Sequence, residues 1–230
     1  MSLTLVATPI GNLGDLSPRA REALEAASFW IVEDTRVSGR LQQVLGIKRP
    51  MAVLNDHTSP FALEKLADRV ESEGPAALLT DAGSPAVSDP GADLVDILRQ
   101  RDMEIDAIPG PSAVTQSLVL SGFFAQRYAF LGFLPRKSGP AKEVLQPFAE
   151  STFTLVFFES PFRINSLLDS CFQVLGERRY AICRELTKMH QQVHRGVLGS
   201  VPNDKEVPRK GEFTIVVEGL RRKKSSEEEI

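Results

Sequence analysis

Short apolar runs at positions 3–8, 29–32, 51–54, 76–80 and 105–108 punctuate the first half of this 230-residue chain. They predict buried strands, and the amphipathic stretches between them predict helices near 17–27, 38–46, 60–73 and 91–101. Ser17-Pro18 is a good helix start, with a serine oxygen to cap and proline at the first helical position. Strand–helix alternation of this kind predicts an α/β architecture on a mainly parallel sheet.

The second half has a different texture. Runs at 128–133, 154–158, 180–184, 192–198 and 212–218 predict strands, with helices over 141–149 and 161–175. No helical stretch separates the last two strands, so this sheet is expected to be mixed, with an antiparallel portion. A helix over 112–120, leading into the Gly122-Phe123-Phe124 turn, marks the change of texture. The expected division is two α/β domains, 1–112 and 113–220, followed by a charged, flexible tail over 221–230. No internal repeat is found.

Composition adds exclusions. Apolar residues make up 42% of the chain and charged residues 25%, as in ordinary soluble globular proteins. No apolar run approaches the roughly 20 residues of a membrane span. The start, MSLTLVATPIGN, runs into a strand without a basic n-region, so no signal peptide is expected. Cys171 and Cys183 are too few for a disulfide framework or a zinc site; reduced cysteines and a cytoplasmic location are expected. The net charge of −3 hides an asymmetry. Residues 1–110 carry 10 basic and 17 acidic side chains, and residues 111–230 carry 17 and 13. Such a split points toward a polyanionic partner for the basic half.

Candidate chemistry lies in the loops. PIGNLGD, EDTR, TDAGSPAVSDPG and IPGPSA each follow a predicted strand of the first half. In an open parallel sheet, loops at the carboxyl ends of strands form the ligand crevice, so four of them predict one shared site. Gly11-Asn12-Leu13-Gly14 lacks the dinucleotide spacing, and no phosphate-cradling G-x-x-x-x-G-K-[ST] occurs. The serine-nucleophile elbow and the H-E-x-x-H zinc motif are also missing, and no metal is expected.

Eight segments in order carry a family resemblance: TPIGNLGD (8–15), EDTR (33–36), TDAGSPAVSDPG (80–91), PGPSA (109–113), GFLPRK (132–137), ESPFR (159–163), RELTK (184–188) and KGEF (210–213). Together they resemble the tetrapyrrole methylase superfamily, in its branch of ribosomal RNA methyltransferases that modify a cytidine ribose 2′-hydroxyl of the small subunit. The resemblance implies S-adenosyl-L-methionine as cofactor, bound in a cleft between two α/β domains, and a homodimer. Carried over by position, the cofactor-binding residues are Pro9, Asp81, Ala82, Gly83, Ser84, Ser112 and Ala113, with the backbone of Phe133, Leu134, Gly211, Glu212 and Phe213. Asp81 suits the charged or hydroxyl groups of such a cofactor, and Gly83 lets the backbone come close. Ser112 opens a helix whose free N–H groups can meet a carboxylate.

A ribose hydroxyl reacts once its proton is taken or its oxyanion is stabilised. Asp34 or Glu185 is expected near that hydroxyl, with Arg36 and Lys188 as phosphate or oxyanion contacts; a salt-bridge network would use the same four side chains. Arg136, Lys137, Arg163, Arg184 and Arg195, with Lys142, are expected to meet RNA phosphates. Phe133 and Phe162 are candidates to stack on a splayed base, Phe133 reading first as buried core. The partner is then small-subunit ribosomal RNA or the assembled subunit, with no membrane. Phe162 stands where the family usually has histidine, and Gln191 where glutamate is common. The Asn55–Thr58 loop is less histidine-rich than usual, and a helical extension of longer members has no counterpart here. Two alternatives stay open: a methyltransferase of the same superfamily with a corrinoid or protein substrate, and a non-catalytic RNA- or ribosome-binding relative.

Overall fold

The computed structural model describes residues 2–221, and the expected tail lies outside them except for Arg221. The chain divides into two compact units, Met1–Ser112 and Ala113–Ile230. Among the described residues no helix is long and apolar enough to cross a membrane.

The first unit runs β1 (Ser2–Val6), α1 (Pro18–Ala26), β2 (Phe29–Val32), α2 (Thr35–Leu45), β3 (Met51–Val53), α3 (Pro60–Glu73), β4 (Ala76–Leu79), α4 (Ala92–Gln100) and β5 (Glu104–Ile108). Its sheet has the order β3-β2-β4-β1-β5, and every neighbouring pair is parallel. Alternate strand residues face opposite ways, which explains why the strands read as unbroken apolar runs. Leu3, Phe29, Ile31 and Leu78 pack with Leu66, Val70, Leu94 and Leu98 of α3 and α4. Val6, Trp30, Val32 and Leu79 pack on the other face with Ala20 and Leu24 of α1. Trp30 is fully buried, and its indole N–H donates to the Leu24 carbonyl at 3.0 Å. The Ser17 hydroxyl caps α1 by accepting the Ala20 N–H at 3.1 Å. α2 starts at Thr35, three residues before the apolar periodicity suggested, because Asp34 caps it.

The second unit runs α5 (Ala113–Ser121), β6 (Tyr128–Phe130), α6 (Ser138–Leu145), β7 (Thr154–Glu159), α7 (Ile164–Leu175), β8 (Arg179–Arg184), β9 (Gln192–Val197) and β10 (Phe213–Val217). Its sheet is mixed, in the order β6-β7-β10-β8-β9: β10 lies antiparallel between β7 and β8, and β9 is antiparallel to β8. Phe157, Ile182 and Ile215 face α6 and α7, while Val156, Ala181 and Val216 face α5. β6 ends three residues earlier than its apolar run, and Gly132, at φ +59°, turns the chain away. α6 gives way to a 3-10 turn at Gln146–Phe148, where Pro147 has no N–H to continue the helix. α7 begins at Ile164 because the Arg163 N–H closes a turn on the Ser160 carbonyl. Cys171 and Cys183 are free and buried, and burial pushes both thiols up to about 12, which leaves them unreactive.

Candidate functional site

In the first sheet β1 leads by α1 to β2 on one side, and β4 leads by α4 to β5 on the other. The crevice of such a sheet opens where the connections diverge, here between the carboxyl ends of β1 and β4. Its root is closed by a two-way backbone bridge. The Thr8 N–H donates to the Gly83 carbonyl at 2.8 Å, and the Gly83 N–H donates to the Thr8 carbonyl at 3.1 Å. This antiparallel link lies just beyond an all-parallel sheet, and it sets Pro9 beside the Asp81–Ser84 loop. That loop is strongly contorted: Gly83, Ala86, Ser88 and Gly91 all have positive φ, and two of them carry side chains. Left-handed backbone at non-glycine residues costs free energy and concentrates at functional sites. Pro9, Leu13, Val37, Leu41, Thr80 and Asp81 line a pocket of about 210 Å³ on this edge.

Carboxylates crowd the same edge. Burial pushes Asp89 up to about 6, with the charges of Glu33, Asp81 and Asp56 adding to it and the Thr80 hydroxyl partly offsetting it. Glu33 is raised by burial and then by Asp81, and Asp81 by burial and then by Asp34. Glu33 and Asp89 belong to EDTR and TDAGSPAVSDPG, yet the sequence reading passed over them. Crowded carboxylates in one place are the signal that could have found them. Asp34 behaves differently. It accepts the Arg36 backbone N–H at 2.8 Å and the Arg36 guanidinium at 2.6 Å, and these hydrogen bonds hold its carboxyl down at about 2. A carboxylate so held is a weak proton acceptor. Arg36 itself is 86% exposed and presents its charge outward.

In the second unit Glu159, Phe213 and Arg184 stand side by side across β7, β10 and β8. Their register gathers GFLPRK, ESPFR, RELTK and KGEF onto one sheet edge. Glu185 and Lys188 form an ion pair at 3.2 Å, and Lys188 also reaches Glu212 at 2.9 Å. Glu185 further accepts the Glu212 N–H at 2.9 Å. Against the opposing effect of burial, these contacts lower the Glu185 carboxyl and raise the Lys188 amine, so both stay charged. The four candidate catalytic side chains thus come as two ion pairs, Asp34 with Arg36 and Glu185 with Lys188. Gly211, at φ +103°, is required here: a Cβ on it would lie 2.6 Å from the Glu185 carboxylate. Glu185 and Thr187 also have positive φ, and the Thr187 N–H donates to the Gln191 side chain at 2.7 Å.

Two cations expected on phosphates are used otherwise. Arg163 donates to the carbonyls of Leu134 and Pro135, at 2.9 and 3.1 Å, and Arg184 donates to the Lys210 carbonyl at 2.7 Å. Each ties one edge loop to another. Arg136 and Lys137 are exposed, and Arg195 is exposed above the Phe123 ring. Phe133 is no core residue: it is 61% exposed, whereas Leu134 beside it is buried. The early turn at Gly132 explains the difference. Phe213 packs in the core, and its backbone lies between Glu159 and Arg184 in the sheet. Ser112 directly precedes α5, and Ala113 is its first residue.

Comparison with known proteins places these loops in a family. The chain is 41% identical to ribosomal RNA small subunit methyltransferase I of Xylella fastidiosa, covering 95% of this chain and 81% of that one. It is 39% identical to the protein of the same name from Synechocystis, over 94% of this chain and 78% of that one. Among solved structures, uroporphyrin-III C-methyltransferase from Thermus thermophilus complexed with S-adenosylhomocysteine matches 94% of this chain and 96% of its own, with a TM-score of 0.64 at 18% identity. The family model of the tetrapyrrole (corrin/porphyrin) methylases matches residues 2–202, and so takes in the first-unit loops and the RELTK segment. By sequence and by fold, the chain belongs to the tetrapyrrole methylase family.

Proposed function

We propose that the protein is an S-adenosylmethionine-dependent methyltransferase acting on small-subunit ribosomal RNA, at a cytidine ribose 2′-hydroxyl. The observation that carries the cofactor reading is the strand-end edge of the first unit. There the Glu33, Asp81 and Asp89 carboxyls are raised by burial and by neighbouring carboxylates, Asp81 acting on Glu33 and Asp89 and Asp34 on Asp81, beside a strained loop pinned at Thr8 and Gly83. Such a site favours a cationic ligand, and S-adenosylmethionine carries both a sulfonium and an ammonium. The residues fit that group. Asp81 offers a carboxylate to its polar groups, Pro9, Ala82, Gly83 and Ser84 shape the wall, and Ser112 with Ala113 presents a helix start to a carboxylate. The family resemblance also assigns the backbone of Phe133, Leu134, Gly211, Glu212 and Phe213 to cofactor binding. When bound, the cofactor supplies an electrophilic methyl group on sulfur.

The acceptor hydroxyl needs orientation and a positive charge for its developing oxyanion. Arg36 and Lys188 serve there or on neighbouring phosphates, and Asp34 and Glu185 hold those cations in place. Arg136, Lys137 and Arg195 extend the RNA contact. The names borne by the relatives at 39–41% identity support ribosomal RNA over a tetrapyrrole or a protein as substrate. We further infer a cytoplasmic homodimer: the two cysteines are free and buried, and the family resemblance implies pairing. Light scattering on the purified chain tests the dimer.

Calorimetry with S-adenosylmethionine, followed by tritium transfer to naked 16S RNA, assembled small subunits and a tetrapyrrole, tests the activity. Binding at micromolar concentration with label in RNA is expected. No binding at millimolar cofactor, or label only in the tetrapyrrole, would sink the proposal. Asp81→Ala is expected to lose cofactor binding, and Lys188→Ala to keep it while methyl transfer falls.

A further inference from the structure

Met189 and Phe162 are 94% and 88% exposed, the two most open large apolar side chains among the described residues. Phe133 is 61% exposed, behind Val119 at 76% and Phe61 at 70% on helices elsewhere. Met189, Phe162 and Phe133 occupy different loops, after β8, β7 and β6, and the parallel relation of those strands puts all three loops on one sheet edge.

These side chains do not hang on loose chain. Arg163, next to Phe162, reaches across to the carbonyls of Leu134 and Pro135, next to Phe133. One guanidinium therefore staples the two ring-bearing loops. It is anchored in turn by Glu159, which is almost wholly buried: Oε1 accepts the Ser160 N–H at 2.7 Å, and Oε2 faces Arg163 at 3.4 Å. The Phe133 ring leans on Phe158, with centroids 5.8 Å apart, and shows its remaining surface to solvent. The Met189 loop is pinned by the contact between Thr187 and Gln191. Large apolar groups kept in water by ordered loops mark a binding surface.

The chemistry around them selects the partner. Arg136 and Lys137 are exposed on the loop after β6, and Lys210 is exposed on the segment that enters β10 at the same edge. Exposed rings among cations match unpaired bases linked by phosphates: a base presents a π-face to each ring, and the phosphates meet the cations. A duplex hides those faces by its own stacking.

We propose that this edge of the second unit is a stacking platform for single-stranded RNA, with Phe162 and Phe133 as the base-stacking rings and Arg136, Lys137 and Lys210 on phosphates. The proposal rests on the RNA reading above and adds to it the conformation of RNA that is recognised. It also assigns Arg163 and Glu159 the task of holding the two rings in place.

Fluorescence anisotropy of the full chain with three labelled probes tests it: a 12-nucleotide single-stranded RNA, the same strand with abasic residues at its centre, and a 12-base-pair RNA duplex. Phe162→Ala is expected to weaken single-strand binding about tenfold, and Phe162→Trp to restore it. The abasic strand should bind weakly to the wild type and lose little more with Phe162→Ala. The salt dependence should keep its slope in Phe162→Ala and lose about 1 in Lys137→Ala. Phe162 is exposed, so thermal unfolding should be unchanged. Single-strand affinities of Phe162→Ala and Phe133→Ala within twofold of wild type, or equal binding of duplex and single strand, would overturn the platform. Failure of the enzyme reading shows separately, as a wild-type chain that takes up no S-adenosylhomocysteine in calorimetry.

Discussion

Two groups of carboxylates, one in each unit, sit in opposite electrostatic states. In the first, Glu33, Asp81 and Asp89 crowd one another, and each carboxyl is raised. In the second, Glu185 at the strand-end edge meets Lys188 and Glu218 at the far end of β10 meets Arg179 and Arg221, and both carboxyls are lowered, whereas Glu159 is raised by burial that the Ser160 N–H and Arg163 only partly offset. A crowded carboxylate weakens the fold that contains it and gains when a cation arrives; a paired carboxylate strengthens its fold at once. The contrast separates crowded carboxylates from paired ones without reference to any relative. Asp34 is the instructive exception. It lies in the acidic unit but is paired with Arg36, and it sides with the second unit's paired carboxylates.

Substitutions can break this contrast. The largest effect is expected at Gly211→Ala, which combines φ +103° with a Cβ 2.6 Å from the Glu185 carboxylate. A loss of about 2–4 kcal/mol in chemical denaturation should accompany collapse of methyl transfer. Unchanged stability would mean that the Glu185 clamp is not rigid.

Glu185→Gln comes next, at about 1–2 kcal/mol lost near neutral pH. Because the folded-state carboxyl is lowered from 4.5, the stabilisation is fully present above that pH and disappears as the pH falls below it. Wild-type and variant unfolding curves should therefore converge in acid.

Asp89→Asn should have the opposite sign. The folded carboxyl stands at about 6 against an ordinary 3.8, so its charge costs stability at neutral pH, and protonation relieves that cost as pH falls through 6. Asp89 is only half-buried, and solvent screening reduces the effect to a gain of about 1 kcal/mol for the variant at pH 7. That gain should be gone near pH 4. A destabilised Asp89→Asn at pH 7 would erase the distinction between crowded and paired carboxylates.

Much of this was legible in the sequence. Strands covered on both faces must be apolar throughout, so the runs at 29–32 and 76–80 declared themselves, and turn-forming residues after them located the crevice loops. The Asp34 cap was within reach too, since an aspartate two residues before an arginine at a helix start is a local pattern. Pairings between distant segments were not legible. Nothing near Glu185 announces that Gly211 must leave room for it, and nothing in ESPFR says that Arg163 will staple the GFLPRK loop. Arg163 and Arg184 read as phosphate contacts because a guanidinium that holds backbone carbonyls has the same sequence signature as one that meets RNA. Phe133 read as core because it continues an apolar run, and only the turn at Gly132 redirects it.

The bridge between Thr8 and Gly83 also bears on the order of events during synthesis. Its two halves lie far apart in the chain, and β4 must dock beside β1 before either amide finds its acceptor. The β1 loop emerges early from the ribosome yet has nothing to hold its shape until β4 follows. The amides of Thr8 and Gly83 should accordingly gain hydrogen-exchange protection together and late, after those of α1. A nascent first unit therefore acquires the shape of its crevice edge in one step, as its sheet closes.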